Sequence, residues 1–307
     1  MLSLVAERGM GGWRKHWSVW LITLAVASAC TADSAPEAPP EIGTVRQITD
    51  LSQVAFPLEA YEMTAEEDIV LQRAVWQLAI ECLNRFGADI TPPPLVATNE
   101  LLTSRRYGLL DLESAGAWGY HGGDPAVDRA NVEADGPAAA ERLGGLTGGL
   151  LFGEGVDGVS LPPGAPRDGC LNEARRILAE GGEMYDPNFL FSRANEALIR
   201  AERDERVEAA FTAWSACMAD AGFSYAGPWD ANNDSQWRED IVTDQERLVA
   251  TADVTCKLET NLIGIWNAVD AAYQERIIER DAELLAEMVE DRRQLIDRAA
   301  EIVENSR

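Results

Sequence analysis

The stretch from Thr243 to Arg307 constrains the fold most strongly, because it contains no proline and a single glycine, Gly264. Thr243 and Glu246 have the spacing of a capping box that begins a helix. Apolar residues then recur at alternating steps of four and seven, an eleven-residue repeat that keeps one stripe along a nearly straight helix. The sequence therefore predicts a long C-terminal amphipathic helix over residues 262–307, with any interruption near Gly264. The stripe consists of Leu262, Trp266, Tyr273, Ile277, Leu284, Met288, Leu295 and Ala299.

This stripe has two interpretations. The first is that it packs on the chain's own domain, as the apolar face of an amphipathic helix normally does. The second is that part of it contacts a protein partner or a second copy of the chain. The candidate partner-binding residues are Tyr273, Ile277, Leu284, Met288 and Leu295.

The rest of the chain also has helical patterns. Thr64-Ala-Glu-Glu67 is a second capping box, which predicts a helix to about Phe86. Further helices are predicted over 170–180, 187–202 and 204–221, whereas the Gly/Pro-rich residues 144–169 are predicted to be a loop. No alternating run is long enough to predict a sheet. The fold class is therefore mostly α, with a helical domain over residues 43–261 followed by the C-terminal helix.

Residues 1–29 have the features of an export signal. Two basic residues precede an apolar run from Trp17 to Ala29, and the run ends in the small residues Ala27-Ser28-Ala29. The run is shorter than the about 20 residues that a membrane-spanning helix needs. We therefore expect an exported protein.

Cys30 directly follows the small residues, as in the lipobox of bacterial lipoproteins. Ala27 stands where the usual pattern has Leu, Val or Ile, so lipidation of Cys30 and plain secretion both remain open. Residues 30–42 are rich in Pro and Ala and are typical of a semi-extended tether. This arrangement predicts a lipid anchor on the outer face of the cell membrane.

Four other cysteines favour disulfides, because their number is even and the chain is exported. Cys82 and Cys217 each lie five residues before a glycine that would end a helix in the left-handed conformation. The surroundings of Cys170 and Cys256 also resemble each other, with Glu and Ile at the same offsets. An internal duplication is therefore predicted, with disulfides Cys82–Cys170 and Cys217–Cys256.

Charge excludes one class of partner. The leader holds three of the 26 basic residues and one of the 52 acidic residues, which leaves 23 against 51 from Cys30 onward, a net charge of −28. Nucleic acid binding depends on Lys and Arg that neutralise phosphates, so no nucleic acid partner is expected. Lys257 is the only lysine after the leader, which we attribute to the codon usage of a GC-rich genome.

The sequence contains no complete catalytic or metal-binding motif. His121 is the only histidine after the leader, and no nucleophile is identifiable beside it. Gly153–Gly158 matches G-x-G-x-x-G but is followed by prolines that cannot begin the required helix. Asp230–Asp234 begins like a calcium loop but lacks the glycine and the final Glu, so a polar turn is predicted and any metal stays unassigned. No catalytic residue or cofactor is therefore predicted.

Seven short motifs occur in order along the chain: Phe56–Tyr61, Cys82–Gly87, Arg105–Gly108, Gly119–His121, Ala213–Met218, Cys256-Lys257 and Ala272–Gln274. Together they resemble a group of uncharacterised secreted lipoproteins of high-GC Gram-positive (actinobacterial) bacteria, over nearly the whole chain after the leader. The resemblance implies an exported, all-α, disulfide-braced body, and it implies no catalytic residues.

We therefore expect a membrane-anchored, extracytoplasmic, non-enzymatic interaction or accessory module. It would bind a protein partner or a second copy through the C-terminal helix. The alternative is a ligand-binding lipoprotein or a carboxylate-dependent cell-envelope hydrolase, in which His121 and the loop acids Asp124 and Asp128 would be the residues to test.

Overall fold

A computed structural model describes residues 38–54, 56–97, 106–121, 145–154, 160–179, 186–237 and 241–305. These residues contain ten α-helices and no β-strand, which confirms the mostly α fold class. The helices are α1 (Ala65–Asn84), α2 (Leu112–Trp118), α3 (Gly145–Phe152), α4 (Cys170–Ala179), α5 (Pro187–Glu202), α6 (Glu205–Asp220), α7 (Pro228–Asn232), α8 (Asp244–Glu259), α9 (Leu262–Arg280) and α10 (Ala282–Asn305).

The main core is built around α9. This helix packs against α5 and α6, and α8 packs against α2 and α6. Trp214 of α6 and Trp266 of α9 are fully buried, and the segment over residues 42–61 covers one side of α9 with the buried Phe56 and Leu58. Because α9 lies within this core, Leu262 is not a domain boundary, and residues 39–307 form one unit.

A second group of helices, which we call the side lobe, consists of α1, α3, α4 and α10. Helix α1 packs against α4 and α10, and α3 packs against α4. Leu83, Leu150 and Leu171 fill one part of its interior, while Leu178 and Leu295 fill another. The C-terminal helix thus closes the side lobe with its own apolar face.

Both disulfides predicted from the sequence are present. Cys82 is joined to Cys170, and Cys217 is joined to Cys256, with Cα–Cα distances of 5.6 Å and 5.7 Å. The first disulfide braces the side lobe and the second braces the main core.

The two helices that carry Cys82 and Cys217 end in the same way. Beyond α1, the Ala88 N–H donates to the Leu83 carbonyl, and Gly87 is left-handed with a φ of 73°. Beyond α6, the Phe223 N–H donates to the Met218 carbonyl, and Gly222 has a φ of 92°. Both are Schellman motifs, as the glycine spacing predicts.

The internal likeness does not extend to the second cysteine of each pair. Cys170 is the first residue of α4, whereas Cys256 lies in the last turn of α8. Ile177 is exposed and Ile263 is buried, although the two occupy equivalent sequence positions. The repeated unit is therefore a helix with its cysteine and glycine cap.

The C-terminal region is two helices, where the sequence predicted one with a break near Gly264. The first break is at Asn261, which is left-handed with a φ of 50°, and Gly264 lies inside α9. The second break is at Asp281, whose carboxylate accepts hydrogen bonds from Arg280 and forms an ion pair with Arg193 of α5 at 2.6 Å. Those guanidiniums hold Asp281 in a non-helical conformation between α9 and α10.

Beyond the break at Asp281, one position of the predicted apolar stripe differs, whereas Met288, Leu295 and Ala299 lie on the inward-facing side as the repeat predicts. Leu285 is fully buried, whereas Leu284, which the eleven-residue repeat selects, is half-exposed. From Leu285 the inward-facing positions follow steps of three and four, the heptad pattern of a helix packed on neighbouring helices.

Within the described part of residues 144–169, where the sequence predicted a loop, the chain forms helix α3. Helix α3 forms there because Leu150 and Leu151 bury against the side lobe. Two further residues of α3, Gly148 and Gly149, are also buried, so their missing side chains let the helix approach its neighbours closely.

Candidate functional site

The described residues contain several ionisable side chains that are buried, and three of them lie on one face of α8. Glu246, Asp253 and Lys257 occupy positions i, i+7 and i+11, and each exposes at most 1% of its surface. Buried charges are costly unless they are paired or hydrogen-bonded, so each of these groups needs an identified partner.

The carboxylate of Glu246 is turned toward the chain just after α2. Its Oε1 accepts a hydrogen bond from the Tyr120 N–H at 2.9 Å and lies 3.6 Å from His121 Nε2. A Cβ on Gly119 would overlap this carboxylate, so the glycine makes room for it. Thr243 still caps α8, but Glu246 does not complete the predicted capping box because its carboxylate serves the 119–121 turn.

Asp253 and Lys257 form an ion pair one helical turn apart. Lys257 Nζ lies 2.9 Å from Asp253 Oδ2 and donates a second hydrogen bond to the Leu109 carbonyl at 2.9 Å. The indole N–H of Trp214 donates to Asp253 Oδ1 at 3.0 Å. Burial raises the pKa of the Asp253 carboxyl, while Lys257 acts in the opposite direction.

A second buried network is centred on Asp270 of α9. Arg106 donates to both of its carboxylate oxygens, from Nε at 2.6 Å and from Nη2 at 2.9 Å. The Tyr107 hydroxyl donates to Oδ2 at 2.8 Å, and Gln274 donates to Oδ1 at 3.1 Å. Burial, followed by the charge of Asp270, raises the pKa of Tyr107 well above its usual range. The network fixes the 106–110 segment to α9, and a fully satisfied arrangement of this kind is a brace.

The groove between the N-terminal segment and α9 has a volume of about 380 Å³. Its floor is formed by small residues of α9, among them Ala268 and Ala271, and Gly43 lies at its edge. Two exposed side chains of opposite charge, Arg46 and Glu275, also line the groove. A volume of this size suits a small ligand or a few residues of an extended peptide.

The candidate partner-binding residues of the C-terminal stripe are mostly in the core. Tyr273, Ile277 and Leu295 are buried, which corrects the prediction that they face a partner, because they pack against this chain's own helices. Met288 is partly buried, and Leu284 remains half-exposed.

Of the other residues that the sequence singles out, Cys30, Asp124 and Asp128 lie outside the described residues. Asp230 and Asp234 do not form a cation loop, since Asp230 accepts from the Gly227 N–H and Asp234 accepts from Gln236 and Tyr225. The polar turn predicted there is thus the short helix α7, capped by Asp230, followed by a 3-10 turn over Ser235–Trp237 that Asp234 caps.

Neither of the two buried networks was predicted from the sequence. One signal for the first was available, because Lys257 is the only lysine after the leader and follows Asp253 at helical i,i+4 spacing. No local signal exists for the second, because Arg106 and Asp270 are 164 residues apart.

In the part of the chain that the structure describes, no group of three or more His, Cys, Asp or Glu side chains is placed to hold a metal ion. No described helix combines the length and the hydropathy that crossing a membrane requires. Comparison with protein-family models, with curated proteins and with solved structures finds no match for this chain.

Proposed function

We propose that this chain is a lipid-anchored, non-enzymatic binding protein on the outer face of the cell membrane. The observation that carries the proposal is the groove between the N-terminal segment and α9. Its edge residue Gly43 follows Cys30 by thirteen residues (43 − 30), a length that spans at most about 45 Å when extended. A lipid on Cys30 would therefore keep the groove close to the membrane surface.

The disulfides support the compartment. Two disulfides in one chain fit an oxidising environment outside the cytoplasm. The lipobox-like leader and the resemblance to secreted actinobacterial lipoproteins support the anchor.

Charge selects the kind of partner. The net charge of −28 after the leader repels a second copy of the chain and attracts a basic protein. The groove complements a segment that carries both signs, with its carboxylate toward Arg46 and its cation toward Glu275. The proposed partner is therefore a basic envelope protein that contributes a short extended segment. The C-terminal region takes part through the groove face of α9, in place of the buried stripe.

The test fills the groove and measures binding. A photo-crosslinking residue at Ala268 in intact cells should capture a basic envelope protein, and the same residue at Ala209, exposed on α6, should not. The purified partner should then bind Ala268→Trp at least about tenfold more weakly than wild type, and added salt should weaken wild-type binding. The control Ala209→Trp should bind as wild type does.

Equal binding by wild type and Ala268→Trp would overturn the assignment of the groove. A captured protein whose binding is insensitive to salt would contradict the charge argument.

A cell-envelope hydrolase is the second candidate, and one observation favours it. Glu246 is fully buried beside His121, and its Oε2 has no hydrogen-bond partner among the described residues. A carboxylate next to an imidazole can act as a general base. If this candidate is correct, His121→Ala and Glu246→Gln should each abolish hydrolysis of cell-wall fragments without unfolding the protein.

A further inference from the structure

Lys257 and Asp253 are placed for a covalent reaction with each other. The two residues lie one turn apart on α8, with Nζ 2.9 Å from Oδ2, and neither side chain has exposed surface. The reacting atoms are Nζ and Cγ, and the hydrogen bond to Oδ2 holds Nζ beside the carboxyl carbon to which Oδ2 is bonded. Groups held next to each other in one geometry react far faster than the same groups free in solution. No other lysine follows the leader, so no other lysine side chain competes for the carboxyl group.

The surroundings exclude water and orient both groups. Trp214 donates its indole N–H to Asp253 Oδ1, whereas the Lys257 amine donates to the other carboxylate oxygen, Oδ2. Lys257 Nζ donates to the Leu109 carbonyl, and Gly108 lies so close that an added Cβ would be 3.2 Å from Nζ. The Tyr120 hydroxyl also hydrogen-bonds the Asp253 carboxyl group. Burial, followed by the charge of Asp253, raises the pKa of that hydroxyl, so it keeps its proton.

We propose that Lys257 and Asp253 condense after folding into an intramolecular amide bond. A proton first moves from Nζ to Oδ2, which gives a neutral amine beside a carboxylic acid. The nitrogen lone pair then forms a bond to Cγ, and the negative charge that develops on Oδ1 is stabilised by the Trp214 N–H. The bond from Cγ to Oδ2 breaks, and Oδ2 leaves as water with its own proton and one more from the nitrogen.

The folded protein favours each part of this step. Burial raises the pKa of Asp253, which favours the protonated carboxyl that loses water most readily. The product is a neutral amide, so condensation removes two charges from a dry site where charges are costly. The step needs no oxidant, cofactor or second protein.

Peptide mapping of the wild-type protein purified from its own cells tests the proposal. After reduction and alkylation, trypsin cleaves an unmodified chain at Arg247, Lys257 and Arg276 and releases peptides 248–257 and 258–276. The amide bond blocks cleavage at Lys257. It therefore yields one peptide, 248–276, lighter by the mass of one water, about 18 Da, than the same sequence with Cys256 alkylated. Fragmentation should give no cleavage products between residues 253 and 257.

Recovery of 248–257 and 258–276 at their unmodified masses would overturn the proposal. A synthetic peptide 248–276 is the control, since it lacks the buried site and should be cleaved at Lys257. The Asp253→Asn variant is the matched test of mechanism, because its side-chain amide loses ammonia in the same reaction. It should give the same bonded peptide as wild type, and Asp253→Ala should give none.

Discussion

At the Glu62 carboxylate, burial and a neighbouring negative charge both raise the pKa. The side chain is half-buried beside Glu59, and burial, followed by repulsion from Glu59, raises its pKa to about 7. In the unfolded chain the pKa is about 4.5. The folded state therefore favours the protonated form, and ionisation of Glu62 costs stability as pH rises from about 4.5 through 7.

The Glu62→Gln variant should accordingly be more stable than wild type at pH 8, by about 1 kcal/mol, because the half-exposed carboxylate is screened by solvent. Near pH 4 the two proteins should have equal free energies of unfolding. Urea denaturation at the two pH values measures this, with Glu301→Gln at an exposed site of α10 as the control. An equal advantage at both pH values would show that protonation is not the cause.

Single residues differ in how far the sequence reveals their environment. Thr64, Gly87 and Gly222 could be assigned correctly because capping depends on neighbours within one turn. The burial of Lys257 and the pairing of Arg106 with Asp270 could not, because both depend on which helices meet in the core.

At the scale of elements, the N-terminal segment crosses α9 at Gly264. The helix comes so close to the Arg46 carbonyl that a Cβ on Gly264 would overlap it. Glycine weakens a helix interior, so its presence here is explained by this crossing.

The Gly264→Ala variant should lower the free energy of unfolding by more than about 2 kcal/mol, since the segment or the helix must move. The matched control is Gly116→Ala in α2, where an added Cβ meets only Thr251 Oγ1 at 4.0 Å. That variant should be neutral or stabilising by up to about 1 kcal/mol. Thermal unfolding of both compares them directly, and equal destabilisation would argue against a close crossing at Gly264.

The C-terminal helix shows how far an apolar repeat in the sequence predicts which residues are buried. The eleven-residue repeat identified inward-facing residues correctly up to Ile277, because α9 is continuous there. Beyond Asp281 it selected Leu284 in place of Leu285, because the break depends on Arg193, which comes from a different helix.

Substituting Glu for both Tyr273 and Ile277 should unfold the protein, because two carboxylates would enter the main core at several kcal/mol each. Leu284→Glu should change the free energy of unfolding by less than about 0.5 kcal/mol, since that side chain is half-exposed. Circular dichroism during heating distinguishes the two variants. A folded Tyr273→Glu, Ile277→Glu protein that had lost only partner binding would contradict the burial of these residues.

At the scale of the whole molecule, the acidic net charge opposes self-association and the two disulfides fit an oxidising environment. The excess of acidic residues keeps copies of the protein apart, and one disulfide braces each of the two groups of helices. We propose that the tether predicted from the sequence holds the protein at a membrane, where the groove on α9 binds a partner.

Fractionation of the native cells tests this account most directly, combined with mass analysis of the N-terminal peptide and thiol alkylation. Wild type should be in the membrane fraction, with a diacylglyceryl group on Cys30 and the other four cysteines oxidised. The Cys30→Ser variant should be released from the membrane with its disulfides intact. A wild-type protein found in the cytoplasm with an unmodified N-terminus and reduced cysteines would contradict the account.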